Sequence, residues 1–299
     1  MIGWRYHLIS IVAVFLALGL GLLMGTALLN DRLVENLKQG NERQQQQLNE
    51  LRIQLDVLTS FADQVLPSLA QDRLVGRSVV LVTHDGADEA ALADVQRALE
   101  LSGADVVATL AIQPGMTAPS AAEQRILGEI LDVPPGASQE DAASIAAEAL
   151  AARLTTEPVP GAPEDADLLG QLLSEGFVIA GSELDTTADV GGADQALVLV
   201  AGGTQDAAPT ATDVLMPLID ELSRLDVVLV VGERTTSAAG VVQAVRRDVD
   251  AIGPLVTIDD LELSAGAAAL ILGLDRALLT RQGGHYGIGE DADQLLPPA

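Results

Sequence analysis

The sequence predicts an α/β protein with an N-terminal transmembrane helix, a dimeric parallel coiled coil and a Rossmann-like doubly wound parallel sheet of about five strands. Three observations predict this architecture. A segment of 22 residues near the N-terminus carries no charge, apolar residues then recur every three or four positions, and short apolar runs later alternate with helical segments. We expect a cytoplasmic N-terminus and anchor over residues 1–29, a coiled-coil stalk over 30–72, an acidic α/β domain over 76–282 and a loose tail over 283–299.

The uncharged segment runs from residue 8 to residue 29 and predicts a membrane anchor. A helix of this length spans ~33 Å, enough for the hydrocarbon core of a bilayer. Trp4, Arg5 and Tyr6 precede it, where interfacial aromatic and basic residues are favoured, so we expect a cytoplasmic N-terminus and an exported (periplasmic) C-terminal domain. The alternative is a cleaved signal peptide, but those have shorter apolar regions and a small-residue cleavage site that Gly25-Thr26-Ala27 matches poorly.

The next segment has the heptad spacing of a coiled coil and predicts a homodimer. With Val34 as position a, the register holds for five heptads. The positions expected at the dimer seam include Val34, Leu37, Asn41, Leu48, Leu51, Leu55 and Leu58. Asn41 at position a favours a parallel pair, and Pro67 predicts that the helix ends near Leu66. The alternative is one amphipathic helix folded on the globular domain, for which Gln44–Gln47 would make a poor docking face.

Gly21 and Gly25 form a small-xxx-small pair that could bring two membrane spans together. Glycine is common in membrane helices in any case. Both interpretations stay open.

Apolar runs at residues 78–83, 105–112, 196–201, 227–231 and 255–258 predict the strands of the α/β domain. They are continuous rather than alternating, which is typical of parallel strands buried on both faces. Helical segments separate them, as a doubly wound sheet requires.

The charge distribution excludes nucleic acid as a partner. The chain has 16 basic and 43 acidic residues, a net charge of −27, and residues 76–299 hold 10 of the basic and 36 of the acidic ones. Such a domain repels phosphate backbones. Cysteine is absent and Lys38 is the only lysine, so disulfides, thiolate metal sites and lysine chemistry in the domain are excluded too.

The candidate ligand-binding residues follow the predicted strands, because ligands of this fold class bind beyond the carboxyl ends of strands. The candidates for a metal are His84, Asp85, Glu233, Asp259, Asp260 and His285. The carboxylates could ligate a hard cation or, equally, cap helix N-termini. Phosphate-loop, nucleophile-elbow and zinc-protease motifs are absent, so we expect no enzymatic activity, no catalytic residue and no cofactor.

The segment WRYHLISIVAVFLALGLGLLMGTALLN, the run SVVLVTHDGAD and the late Gly283–Gly287 segment resemble the actinobacterial MctB-like family, whose namesake is a mycobacterial copper transport protein. The resemblance implies copper efflux through the outer membrane or, as in corynebacterial relatives, daughter-cell separation with a protein partner that controls peptidoglycan hydrolysis. It transfers no catalytic or metal-binding residue.

The sequence bears on the choice between these two roles. An outer-membrane pore is normally a closed barrel of alternating strands, which this pattern does not predict. Copper prefers sulfur and imidazole ligands, yet Met116, Met216, His84 and His285 lie far apart in sequence. We therefore expect that copper, where the protein acts on it, is a transported ion. The architecture itself favours a membrane-anchored scaffold for cell division.

Overall fold

The computed structural model describes residues 3–134, 137–159, 163, 166–192, 194–203 and 208–298. Within its helices it leaves out the side chains of residues 3, 5, 26–37, 139 and 208–210. The chain divides into two compact units, Met1–Ser60 and Phe61–Ala299.

The first unit consists of most of helix α1, which runs from Gly3 to Ala70. Its window Tyr6–Gly25 has a mean hydropathy of 2.6 and is the one described segment long and apolar enough to cross a membrane. Trp4 and Tyr6 are exposed, and among the described atoms outside the adjacent helix backbone none lies within 4 Å of a Cβ placed at Gly21 or Gly25. The side chain of Arg5 lies outside the described residues.

The predicted coiled-coil seam forms an uncovered apolar row on α1. Leu48, Leu51, Leu55 and Leu58 are 55–63% exposed, and Asn41 on the same helix is exposed as well. Val34 and Leu37 belong to the part of α1 whose side chains are not described.

The predicted end of this helix near Leu66 is wrong, because α1 continues through Pro67 to Ala70. A proline in the last turn removes a single hydrogen bond, to the carbonyl of Asp63. Ala70 and the following Leu74 are fully buried in the core of the second unit. This packing offsets the cost of the proline.

The second unit is built on a seven-stranded sheet with the order β3-β2-β1-β4-β5-β6-β7. Five parallel strands lie where the sequence predicts them. The strands are β1 Ser78–His84, β2 Asp105–Ile112, β3 Val178–Ala180, β4 Ala196–Val200, β5 Leu229–Gly232, β6 Leu255–Ile258 and β7 Gly284–Tyr286. The two further strands, antiparallel β3 and parallel β7, are edge strands of three residues, too short to give a sequence pattern.

The prediction of a loose tail from residue 283 is wrong at its beginning, where the chain forms a strand. Gly284–Tyr286 pairs with β6 in parallel, and the Tyr286 side chain is 2% exposed. The backbone groups of β6 need hydrogen-bonding partners, which β7 supplies. The buried Tyr286 ring adds an apolar contact that the glycine- and aspartate-rich composition of the tail does not indicate.

In the described part of the chain, seven further α-helices cover the sheet on both faces. They are α2 Glu89–Ser102, α3 Ala121–Leu131, α4 Gln139–Thr155, α5 Leu168–Ser174, α6 Ala208–Ser223, α7 Val241–Asp248 and α8 Ser264–Thr280. Side chains of α3 to α7 pack with one face of the sheet, including Val80 and Val82. Those of α2, α8 and the end of α1 pack with the other face, including Val79 and Leu81.

The strand order fixes where a ligand site would lie. The chain adds β2 on one side of β1 and β4 on the other, so the order of the sheet reverses between β1 and β4. In open α/β sheets this reversal leaves a crevice at the carboxyl ends of the two strands.

Candidate functional site

Side chains at the end of β1 form hydrogen bonds across the crevice to the backbone at the end of β4. The His84 ring lies with Nδ1 2.8 Å from the carbonyl oxygen of Asp85 and Nε2 3.1 Å from that of Gly202. The Thr83 hydroxyl donates to the Val200 carbonyl at 3.0 Å. His84 is 2% exposed, so its ring joins the two strand ends rather than facing a ligand, whereas Asp85 is exposed.

An ion pair closes the mouth of the same crevice. Arg234, which follows β5, donates to Asp88 at 3.1 Å, and the other Asp88 oxygen accepts from the amides of Ala90 and Ala91 at the start of α2. The space left beside this pair is about 20 Å³, room for about one water molecule. In the described part of the chain, the usual ligand position of this fold is thus filled by the protein itself.

The two acidic residues on neighbouring loops serve as backbone acceptors. Glu233 accepts from the amides of Val241 and Val242 at 3.2 and 3.3 Å, which caps the start of α7. Burial raises the pKa of Glu233 in spite of these hydrogen bonds. Glu262 accepts from the amide of Thr235 at 3.2 Å and holds the loop after β5 to the loop after β6. The helix-cap interpretation therefore applies to Glu233.

Asp259 is the centre of a buried network that fastens the C-terminal segment to the sheet. The Arg246 guanidinium, on a side chain that is 2% exposed, donates to Asp259 at 2.5 Å and to the carbonyl of Tyr286 at 2.7 Å. The Asp259 carboxylate also accepts from the amides of Ile288 and Gly289 at 2.8 and 3.0 Å. Its oxygens are engaged and leave little room for a metal ion.

Asp260 differs from its neighbours because both of its carboxylate oxygens are buried without a hydrogen-bond partner among the described residues. Burial, together with the charges of Asp259 and Glu262, raises the pKa of Asp260 to about 6. A buried carboxyl without a partner is costly in its charged form.

The remaining candidate, His285, lies on β7 and accepts or donates a 2.9 Å hydrogen bond between its Nδ1 and the Thr257 hydroxyl. Burial lowers the pKa of His285. The sheet order separates it from His84 by four strand spacings, about 19 Å. Within the described residues, no group of three or more histidine and acidic side chains is placed to hold a metal ion.

A second concave surface carries acidic groups. It is a groove of about 760 Å³ whose lining includes Glu140, Asp213, Asp220, Asp248 and the thioether of Met216. Arg224 pairs with Asp220 and Arg247 with Asp248. Carboxylates with one sulfur atom do not by themselves define a metal site.

The sequence placed Asp259 and Asp260 correctly after β6, but it missed Arg246 and Asp88. The sequence indicates only that the few arginines of a domain with a large acidic surplus are expected to form ion pairs. It does not indicate which carboxylate each arginine contacts. These ion pairs become evident only when the order of the strands in the sheet is known.

Comparison with known proteins identifies the family of the chain, which the geometry of the site does not indicate. Over residues 1–297 the chain matches the family described as "Copper transport outer membrane protein, MctB". The chain belongs to the MctB family. Proteins named copper transporter MctB from Mycobacterium tuberculosis (strain ATCC 25618 / H37Rv) and Mycobacterium bovis are 28% identical over an alignment of 312 positions that covers 98% of each chain. The one from Mycobacterium leprae is 28% identical over 318 positions and 100% of both chains.

Replacement of Arg246 by alanine tests the buried network. We expect Arg246→Ala to lower the free energy of unfolding by about 3–5 kcal/mol, because it leaves the Asp259 charge buried and unpaired. The adjacent Arg247 is 70% exposed and pairs with Asp248, so Arg247→Ala should leave the free energy of unfolding nearly unchanged. Urea denaturation of the detergent-solubilised chain, followed by circular dichroism, measures both. Equal effects of the two substitutions would contradict the assignment.

Asp260 predicts a specific pH dependence of stability. Because its folded pKa of about 6 exceeds the ordinary aspartate pKa of 3.8, the folded chain binds more protons than the unfolded chain between these values, and stability falls as pH rises through this window. Asp260→Asn removes this contribution, so the stability of the variant relative to wild type should rise from pH 4 to pH 6 and then stay constant. The free energy of unfolding of both proteins is measured by urea denaturation at each pH. Parallel curves for Asp260→Asn would refute the prediction.

Proposed function

We propose that the chain is a non-enzymatic, single-span protein of the cell envelope that acts in copper tolerance. The observation that carries this proposal is membership of the MctB family over nearly the whole chain, with mycobacterial relatives named copper transporters that align end to end. A match of this extent includes the apolar helix and the α/β unit alike, so the role belongs to the whole architecture rather than to one domain.

In this proposal copper is cargo and not a resident cofactor. Copper ions are held most tightly by sulfur and imidazole ligands. In the described residues the buried His84 and the half-buried His285 are engaged with protein atoms, and Met116 is 3% exposed. Such ligands support brief, low-affinity contact with the ion.

The proposed topology places residues 1–5 in the cytoplasm, Tyr6–Gly25 in the cell membrane and the α/β unit on the exported side. The length and hydropathy of that window support it, as do the flanking Trp4 and Tyr6. The family description names the outer membrane, and this location is the alternative.

A parallel homodimer through α1 is part of the proposal. The side chains of Leu48, Leu51, Leu55 and Leu58 repeat with heptad spacing and are more than half exposed in the single chain. An apolar row of this length in water calls for a partner surface, and a second copy of the same row is complementary to it.

The exposed row also favours a second candidate function, a dimeric membrane-anchored scaffold that binds an envelope protein. Coiled coils commonly space and pair the domains they carry. A link to daughter-cell separation and peptidoglycan hydrolysis rests on the resemblance to corynebacterial relatives alone and stays a prediction.

Deletion of the gene tests copper tolerance directly. We expect the deletion strain to stop growing at a lower copper concentration than its parent and to hold more cell-associated copper by mass spectrometry, with the full chain restoring both. A zinc series and a detergent series are the controls, and both should leave the two strains alike.

Microscopy of the same cultures separates the two functions. Copper sensitivity with normally separated cells supports the first function. Chained cells with ordinary copper tolerance would overturn it in favour of the scaffold, and sensitivity to detergent as well as copper would indicate a general envelope defect.

A charge at the seam tests the dimer. Leu55→Asp places a carboxylate in the proposed seam and should convert most of the dimer to monomer, since the charge would be buried between two helices. Val57, on another side of the same helix, is 63% exposed, and Val57→Asp should leave the dimer intact. Analytical ultracentrifugation in detergent measures both. A monomeric wild-type chain, or equal effects of the two changes, would contradict the coiled coil.

A further inference from the structure

A groove of about 250 Å³ lies between the end of α1, α2 and the start of α8. All of it belongs to the second unit, Phe61–Ala299. Its apolar lining is formed by Leu66, Ala98, Leu101, Leu261, Leu263 and Ala267. Leu263 is 41% exposed, so part of this apolar surface is open to solvent.

Phe61 lies one turn before Leu66 on α1 and points away from the unit's own core. Its ring is 65% exposed, although phenylalanine has much to gain from burial. The seam positions around it, Ala62, Val65 and Leu69, are half-buried rather than covered. The surface that the heptad register assigns to a second helix therefore continues beside the α/β unit.

The register determines which residues meet across a parallel pair. With Leu48, Leu55 and Ala62 at position a, Phe61 occupies position g and Leu66 position e of the next heptad. In a parallel coiled coil a g residue lies against the e residue five positions later on the partner helix. Phe61 of one protomer is thus brought to Leu66 of the other, at the wall of the groove.

We propose that in the dimer the Phe61 ring of each protomer inserts into the groove of the other, between α2 and α8. This inference rests on the parallel coiled coil of the proposed function. A cavity of about 150 Å³ accommodates a benzene ring, so the groove is large enough for a phenyl group. The two-fold axis makes the contact twice, and each α/β unit is then clasped to the helix of its partner.

Cysteine cross-linking of the full chain in detergent tests the contact, and the natural absence of cysteine makes every introduced thiol unique. Chains carrying Phe61→Cys and Leu66→Cys, with tags of different mass, are co-expressed and treated with a short bismaleimide. We expect a cross-linked heterodimer. The matched control pairs Ile53→Cys with Leu66→Cys, because Ile53 is 61% exposed but at position f, and it should give none.

A single Leu58→Cys chain reports on the coiled coil itself, since position d residues face each other in the seam. If Leu58→Cys cross-links and the 61–66 pair does not, the groove contact is overturned and the dimer stands. If neither cross-links, the coiled coil of the proposed function fails and the groove contact fails with it.

The affinity of the dimer gives a second measurement. Phe61→Ala should raise the dimer dissociation constant roughly tenfold or more, as truncation of a buried aromatic anchor does. Ile53→Ala should change it by less than about twofold. Equal effects, or an unchanged constant for Phe61→Ala, would overturn the insertion of the ring.

Discussion

Every parallel strand at the centre of the sheet carries apolar side chains on both faces, and this constraint governs the rest of the α/β unit. Val79 and Leu81 of β1 face one layer, while Val80 and Val82 face the other. Helices must therefore cover both sides. α3 to α7 cover one side. On the other side α2 and α8 leave space, which is filled by Ala70 at the end of α1 and by Leu74 in the turn after it. The need to complete this second layer explains why a helix continues through Pro67.

The sequence was most informative where a residue pattern repeats. Continuous apolar runs located five parallel strands, and the helices between them followed from the same alternation. β3 and β7 have three residues each, too few for any period, so they become visible only when neighbouring strands supply hydrogen-bonding partners. The tail was misjudged because its glycines and aspartates are typical of loops, whereas Tyr286 and the contacts to Asp259 fix it in place.

The candidate site was predictable in position and not in chemistry. Strand ends locate Glu233, Asp259 and Asp260 at the carboxyl ends of β5 and β6, but only the folded structure shows which groups they contact. Arg246 stands 13 residues before Asp259, and Arg234 pairs with an aspartate 146 residues away. With few arginines available, most of the acidic surplus remains on the surface, and the carboxyl of Asp260 is buried with no hydrogen-bond partner in the part of the chain that the structure describes.

The two edges of the sheet bear on colloidal behaviour. Open β-edges invite pairing with other chains, a particular hazard for proteins held at high density in a plane. Here one edge is the three-residue β3, which runs antiparallel and exposes Ile179, and the other, β7, is bridged by Gln294 through Tyr286. Neither edge offers a long template for strand addition. A crowded array of these chains can thus bring α/β units together without seeding β-aggregates.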